Sequence, residues 1–465
     1  MTTSTTRATT VPIEQLRSAV RGRIVVPGEP DFDALASVMY GGLGSSQPAA
    51  IVRVLDAADV AATIRIARTT ATELAVRSGG HSAAGHSTND GGIVIDVREL
   101  TGLDIDVAGR TAWAGSGLTA GAYTLAAAEH GLATGFGDTG SVGIGGITLG
   151  GGVGYLGRKH GLTIDNLLAA EIVTADGEAH LIDAAHEPDL FWAIRGGGGN
   201  FGVATRFRYR LHDVRSFVGG MLVLPATADT TAGFIAEAHA APDELSTIAN
   251  VMNCPPLPFV AEEHHGAIVI LAMMAYAGDV ATGQSVLASF RSLATPLADL
   301  TAPMAYPGMY PPDDPDYHPT AVSRNMFIDH VDRPVAETIV RFLDASDASI
   351  RVAQLRVLGG AIARVPPDET AYAHRASPIM VNVAAFYDGE SDKPQREAWV
   401  AEFAAALHQG DTGAYVNFVG DEGEARVRAA YPGATWDRLA RVKAAYDPDN
   451  VFHHNQNVPP AAAAD

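Results

Sequence analysis

The chain has 465 residues, of which 47% are hydrophobic and 18% charged; this describes an ordinary globular protein of roughly two or three domain-sized units and excludes a disordered or fibrous chain. The formal net charge is −21, from 32 Lys and Arg against 53 Asp and Glu, and a field of that sign repels phosphate backbones and anionic lipid, so no nucleic acid and no membrane is expected as a partner. One cysteine, Cys254, excludes an intramolecular disulfide and a cysteine metal site.

The Thr-rich start, Met1–Arg7, leads into no apolar signal segment. No apolar run approaches the ~18 residues a membrane span needs, so a cytoplasmic protein is expected. Ile13, Leu16 and Val20 give helical spacing over Pro12 to Arg23. A short buried strand over Ala49–Val54 precedes an N-cap at Asp56 and a helix to Thr70. Leu74–Arg77 and Gly92–Val97 are further strands, and a helix over Thr119–His130 stops at Gly131. Asn166–Thr174 is an apolar strand turned by Asp176-Gly177. Asp189–Arg195 is a short helix, and Phe201–Leu211 alternates as a half-buried strand.

From about Val214 the character changes. Strands are expected at Met221–Leu224, Ser246–Met252, Ala267–Ala275, Ala353–Leu358, Met380–Phe386 and Ala414–Val419. Longer helices separate them, at Thr230–Ala241, Val280–Ala294, Ala336–Ala345 and Pro394–Leu407. The loop over Asp313–Pro319 has no evident role, and the Ala-rich tail after Pro460 is expected to be disordered. The fold class is α+β, with alternating elements first and a mostly antiparallel sheet with helices on one face second.

Two segments carry chemistry. Arg77-Ser78-Gly79-Gly80-His81-Ser82, with Gly85 and His86 beyond, offers an imidazole on a tight glycine backbone. His81 is either an ordinary loop histidine or a ring opened to a bulky partner by the glycines around it. His81 with His86 also suggests metal ligands, but no carboxylate or cysteine has matching spacing, so no metal is expected. The second segment holds Gly140, Gly143, Gly145, Gly146, Gly150, Gly151, Gly152 and Gly154. Glycine is costly in ordered backbone. The run is either a tight coil packed under a helix or a surface where a flavin ring or pyrophosphate meets bare amides. Gly152–Gly157 matches G-x-G-x-x-G, but glycines precede it and Lys159-His160-Gly161 interrupts any helix, which argues against a dinucleotide fold.

These segments, with Asp189–Gly202, Ala414–Phe418 and Tyr446–Asn457, resemble the FAD-linked oxidases of the berberine-bridge-enzyme-like group, within the vanillyl-alcohol-oxidase superfamily. The resemblance runs from about Ala49 to Asn457. It implies a two-part PCMH-type FAD-binding domain, over residues 1–214 and 421–465, around a substrate domain over 215–420. It also implies FAD as cofactor, bonded at its 8α-methyl to His81. Arg77, Ser78, Gly79, Gly80, Ser82, Gly85, His86, Thr139, Gly140, Ser141, Val142, Gly143, Gly145, Gly146, Gly150, Gly154, Val173, Asn455 and Asn457 are then cofactor-binding candidates. Many members carry a cysteine in Cys-x-x-Val-Gly for a second link; here Thr139 replaces it, so one covalent bond is expected, as in 6-hydroxy-D-nicotine oxidase-like members.

Val142 matches a small gatekeeper beside the flavin, leaving room for O2, or is a packing valine. Where some members place a tyrosine after the glycine run, this chain has Val153; where many read Tyr-x-Asn-Tyr, it has Tyr415-Val416-Asn417-Phe418. Phe418 cannot serve as a base. Tyr415 and Asn417, expected on one strand face, are the catalytic candidates, and Tyr415 is equally a structural residue. Gln354 and Arg356, on a shared strand face, are candidate pocket residues. The implied reaction is oxidation of a small-molecule alcohol or amine, hydride passing to the flavin and O2 yielding H2O2. The missing tyrosines fit an amine. Rivals are a dehydrogenase of the same fold with another acceptor, a sugar oxidase, and a flavin-binding protein without turnover. Substrate and oligomeric state stay open.

Overall fold

The computed structural model describes residues 11–41, 46–312, 314 and 316–462. The Thr-rich start and the last residues of the tail lie outside this range. The tail itself is anchored as far as described: the Ala461 N–H donates to Ala440 O at 2.9 Å.

Three sheets organise the α+β fold. The first has four strands in the order Arg23–Val25, Ala50–Arg53, Ile93–Asp96, Leu74–Arg77, the last three parallel. The helix Ala57–Thr70 links two of the parallel strands; Asp56 caps it, accepting from Ala58 N at 3.0 Å and Asp59 N at 3.1 Å. Its buried face, with Val60, Ile64 and Ala67, packs on Val52, Ile93 and Ile95. The second sheet is antiparallel, in the order Leu103–Asp106, Thr111–Gly115, Val203–Arg210, Leu167–Val173, Ala179–Asp183. Alternation decides its long strand: Phe207 and Tyr209 point into the core, Arg206, Arg208 and Arg210 out.

The third sheet runs in the order Ala298–Asp299, Val218–Pro225, Ile268–Tyr276, Leu245–Asn253, Arg351–Val357, Ile379–Phe386, Ala321–Ile328, all antiparallel. The helices Ala228–Ala240, Val280–Arg291, Arg333–Ala345 and Lys393–Leu407 supply Phe234, Phe290, Ile339 and Phe403 to the core on its one face. Its other face is turned to the glycine segments. The C-terminal helix Ala434–Tyr446 returns to the second sheet, so Trp436 and Leu439 share a core with Phe207 and Tyr209. No helix among the described residues is long and apolar enough to cross a membrane.

Two local expectations are corrected. Ala414–Val419 is not a strand: Phe418 N bonds Tyr415 O and Val419 N bonds Val416 O, closing a 3₁₀ turn over Val416–Phe418. The Tyr415 N–H, which a strand would pair, goes instead to Asn325 Oδ1 at 2.6 Å. The glycine run is not all coil: Ile144–Gly150 is a helix. The loop near Asp313–Pro319 also acquires a position. His318 Nδ1 bonds Val38 O at 2.9 Å and Gly41 N bonds Pro319 O at 3.1 Å, joining it to the segment that carries Tyr40.

Candidate active site

The strand Leu74–Arg77 ends in Ser78-Gly79-Gly80, whose backbone runs against the start of the helix Ile144–Gly150. A Cβ added to Gly79 would lie 2.2 Å from Gly143 N, and one added to Gly143 would lie 2.2 Å from Gly79 N. Only two glycines let these main chains meet so closely. Ser78 locks the junction: its hydroxyl donates to Ser116 O at 2.7 Å and accepts from Gly145 N at 3.3 Å. Gly80 takes φ +76°, a left-handed conformation that delivers His81 to the same wall.

A long cavity opens along this junction. Of the sequence candidates, Ser78, Gly79, Gly80, His81, Ser82 and His86 line it, as do Thr139, Val142, Gly143, Gly145 and Gly146. Tyr415, Asn417 and Asn455 complete the set from the C-terminal part, and Gln354 and Arg356 from the third sheet. Gly146 and Gly199 are informative in a different way. A Cβ on either would meet nothing within 4 Å, and neither has positive φ. The chain has no internal need of glycine there. Both face the cavity, so the room they leave is for what enters it. Asn455 Oδ1, on the cavity lining, is buried without a partner nearby, as expected where a polar group is supplied from outside the chain.

Eight candidates are absent from the cavity lining. Arg77 is fully buried and binds main chain, through Nε to Ser87 O at 2.9 Å, Nη2 to Ala36 O at 3.2 Å and Nη1 to Leu35 O. Burial, then Arg98, push its guanidinium down to about 10; it is a strut. Gly85, at φ +81°, makes a turn. Gly140 accepts from Gly121 N at 2.8 Å. Ser141 Oγ is buried without a partner. Gly150 makes room for Asn417, and Gly154 for Phe136 O, which a Cβ would approach to 1.7 Å. Val173 is in the core of the first sheet. Asn457 has its Oδ1 buried without a partner. None of the eight lines the cavity.

Tyr415 and Asn417 come together although no strand aligns them. Asn417 Nδ2 donates to the Tyr415 hydroxyl oxygen at 2.9 Å, and Gly152 N donates to the same oxygen at 2.9 Å. Both lone pairs are engaged, leaving the O–H itself as the free valence. Burial raises the phenol above its usual value, opposed by these two bonds and by Arg356.

The reading from sequence missed other lining residues, among them Tyr40, Asp138, Asn200, Asn382 and His454. Asn200 had a signal, since a second glycine run, Gly196–Gly199, precedes it. Tyr40 and Asn382 had none. Burial raises the Tyr40 phenol, with Asp138 adding to the shift. His86 faces His454 edge-on at 5.5 Å, and burial followed by His454 holds it at about 4. Among the described residues no group of three or more His, Cys, Asp or Glu is arranged to hold a metal ion.

Residues 48–183 match the family model described as FAD binding domain, and residues 414–459 the model described as berberine and berberine like. The chain is 31% identical over 455 residues to (R)-6-hydroxynicotine oxidase of Paenarthrobacter nicotinovorans, covering 95% of this chain and 97% of that protein. It is 31% identical over 469 residues to the uncharacterized FAD-linked oxidoreductase YvdP of Bacillus subtilis, covering 95% and 98%. The crystal structure of 6-hydroxy-D-nicotine oxidase from Arthrobacter nicotinovorans aligns with a TM-score of 0.84 at 29% identity, over 95% of this chain and 98% of that one. BBE-like 1 of Physcomitrella patens, at 22% identity, shares the fold with a TM-score of 0.85, over 97% and 99%. Paired glycine backbones, a cavity along them and a match over nearly the whole length lead to one conclusion: the chain belongs to the berberine bridge enzyme-like family and is an FAD-dependent oxidoreductase.

Proposed function

We propose that this protein is an oxidase of small amines or alcohols that carries its flavin on a single covalent bond from His81. The observation that carries the reading is the contact of Gly79 with Gly143, where a Cβ would come within 2.2 Å of backbone. It makes the His81 loop and the start of the Ile144–Gly150 helix one wall of bare main chain. Ser78–Ser82 and Gly143–Gly146 would hold FAD from that side, and Gly199, Asn200 and Asn455 from the other. Thr139 lines the cavity where bicovalent relatives place a cysteine. The chain's Cys254 is buried in a separate cluster with Val223 and Val269. A single link follows.

When bound, FAD supplies a two-electron acceptor that takes a hydride from the substrate carbon and passes the pair to dioxygen as hydrogen peroxide. The chain's own groups bind and orient. Val142 keeps the cavity wall small beside the helix start, which leaves space for dioxygen. Tyr415, protonated at neutral pH because burial raises it, donates its O–H toward the substrate and is no base. An alcohol needs a base to take its proton, whereas an ammonium passes its proton to solvent water and then has a nitrogen lone pair available. The site therefore favours an amine. The relative named as an oxidase of (R)-6-hydroxynicotine, a nitrogen heterocycle, supports the same class.

The test has two parts. Acid denaturation of the purified holoprotein should leave the yellow colour on the polypeptide, and His81→Ala should release it. A panel of amines, alcohols and sugars under air should give peroxide with amines. Turnover of sugars and never of amines overturns the substrate class, and reduction of a dye without peroxide overturns the oxidase.

A further inference from the structure

The cavity face of the third sheet carries a row of amides. Asn250, Gln354, Asn382 and Asn325 stand in register across the strands Leu245–Asn253, Arg351–Val357, Ile379–Phe386 and Ala321–Ile328. Directly paired residues share a face, and Gln354 and Asn382 line the cavity. Most valences in the row are spent. Asn250 Nδ2 donates to Leu271 O at 3.2 Å, and Gln354 Nε2 to Asn250 Oδ1 at 2.9 Å. Gln354 Oε1 accepts from Arg356 Nε at 3.1 Å and Nη2 at 2.7 Å. Arg356 then gives Nη1 to Val153 O at 3.1 Å and Nη2 to Asp138 Oδ2 at 2.6 Å.

On the cavity lining two acceptors remain open beside the Tyr415 O–H; the other unpartnered group of the row, Asn325 Nδ2, is not on the lining. Asn382 Oδ1 is buried with no partner. Asp138 keeps its side chain 26% exposed, on the cavity wall, and its Oδ1 meets the Thr139 hydroxyl at a long 3.5 Å. Both are acceptors. Arg356, 4% exposed, has its charge answered by Asp138 and a bond from each of its three nitrogens, so no unpaired cation is left over for an anionic ligand. Buried acceptors without donors are costly unless a ligand supplies the N–H.

We propose that Asp138 and Asn382 receive the N–H groups of the substrate, and that the substrate enters as an organic ammonium ion. This rests on the amine-oxidase reading of the same cavity and adds the charge state and the residues that read it. An ammonium offers donors and no acceptor, which matches the open valences. Loss of one proton from a primary or secondary ammonium to solvent water leaves the neutral amine, which gives up hydride and keeps an N–H for the same oxygens. The net charge of −21 raises the local concentration of cations around the protein.

The test uses ligands that cannot turn over, because they lack hydrogen on the carbon that bears nitrogen or oxygen: cumylamine, cationic at neutral pH, and its neutral isostere cumyl alcohol. Calorimetric titration of the holoenzyme should show cumylamine binding roughly tenfold or more tighter than the alcohol. Asp138→Asn should remove that preference without changing the affinity for the alcohol, and Asp138→Glu should restore part of it. Should Asp138→Asn not fold, Asn382→Leu carries the test, with a several-fold loss confined to the amine. Equal binding of the two ligands by the wild type, or a preference unmoved by the variant that folds, overturns the inference. A preference that follows Asp138 in a protein yielding no peroxide with any amine upholds the recognition site and removes the oxidase reading instead.

Discussion

Asn417 holds the Tyr415 hydroxyl from below: its Nδ2 donates to that oxygen at 2.9 Å and to Ile147 O at 3.2 Å. Gly150 makes the arrangement possible, since a Cβ there would fall 1.9 Å from Asn417 Oδ1. The glycine helix and the phenol are thus coupled through one amide. Any side chain added at 150 displaces Asn417 before it touches the cavity.

Tyr415→Phe removes the acceptor of two buried donors, Gly152 N–H and the Asn417 amide, which costs about 1–3 kcal/mol per orphaned group. The melting temperature should fall and kcat/KM should drop by about tenfold or more, one lost orienting bond being worth roughly that factor. Because burial holds the phenol above its ordinary value, it stays protonated up to about pH 10. The shape of the pH profile between about pH 6 and about pH 9 should therefore be the same in wild type and variant. Activity that rises with pH in the wild type and no longer does so in Tyr415→Phe identifies the phenol as the base after all.

Gly79→Ala and Gly146→Ala should fail in opposite ways. At Gly79 the new methyl meets Gly143 backbone at 2.2 Å, which cannot rotate aside, so the apoprotein itself is destabilised, by about 1–3 kcal/mol or more. At Gly146 nothing lies within 4 Å, so the apoprotein should melt as wild type does while flavin content falls. Thermal melting before and after flavin addition, with the absorbance of the bound flavin, separates the two.

Lys443→Met should loosen the far end of the cavity. Lys443 and Asp447 are both 0% exposed. The ammonium donates to Asn200 O at 2.7 Å, Asp447 Oδ2 at 2.6 Å and Phe452 O at 2.8 Å, so every donor is satisfied. Losing it strands a buried carboxylate, at about 3–5 kcal/mol. Adding Asp447→Leu should not rescue, because Asp447 also accepts from Val451 N at 2.7 Å and Phe452 N at 2.8 Å. Chemical denaturation of the two variants and their flavin retention check this.

Acid should unfold the protein partly through a histidine stack. His160 and His212 lie 3.8 Å apart, nearly parallel, and burial followed by neighbouring cations holds them at about 3 and about 4. Both folded values lie below the unfolded value of about 6.5. The unfolded chain therefore binds protons first, and stability is full above about pH 6.5 and declines as pH falls toward those lower values. The melting temperature should decrease between about pH 6.5 and about pH 4, and His160→Asn/His212→Asn should flatten that slope.

How much of this was legible in the chain depends on where the determinants sit. The helix Ala57–Thr70 was readable because Asp56, its cap, and its apolar spacing are both local. The two glycine segments announced a backbone surface because glycine has few other uses at that density. The turn at Val416–Phe418 was misread as a strand because its β-like composition is local, whereas the acceptor for Tyr415 N sits on Asn325, far away in sequence. The strand Ala321–Ile328 went unseen since its first half is only half-buried and carries Ser323 and Arg324. Tyr40 and Asp138 reach the cavity through loop geometry, and Arg77 leaves it for the same reason. Periodicity reports neither.

The cavity is bordered by distant stretches of chain: Ser78–Ser82, Gly198–Asn200 and, near the C-terminus, Phe452, His454, Asn455 and Gln456. During translation the first stretch emerges long before the last, and the whole third sheet must be made in between. Nascent chains fold unit by unit from the N-terminal side, so a partly synthesised polypeptide offers an unfinished receptacle. Cofactor acquisition is thereby a late maturation event, and premature termination upstream of Lys443 yields a product that lacks both the latch and the closing segment.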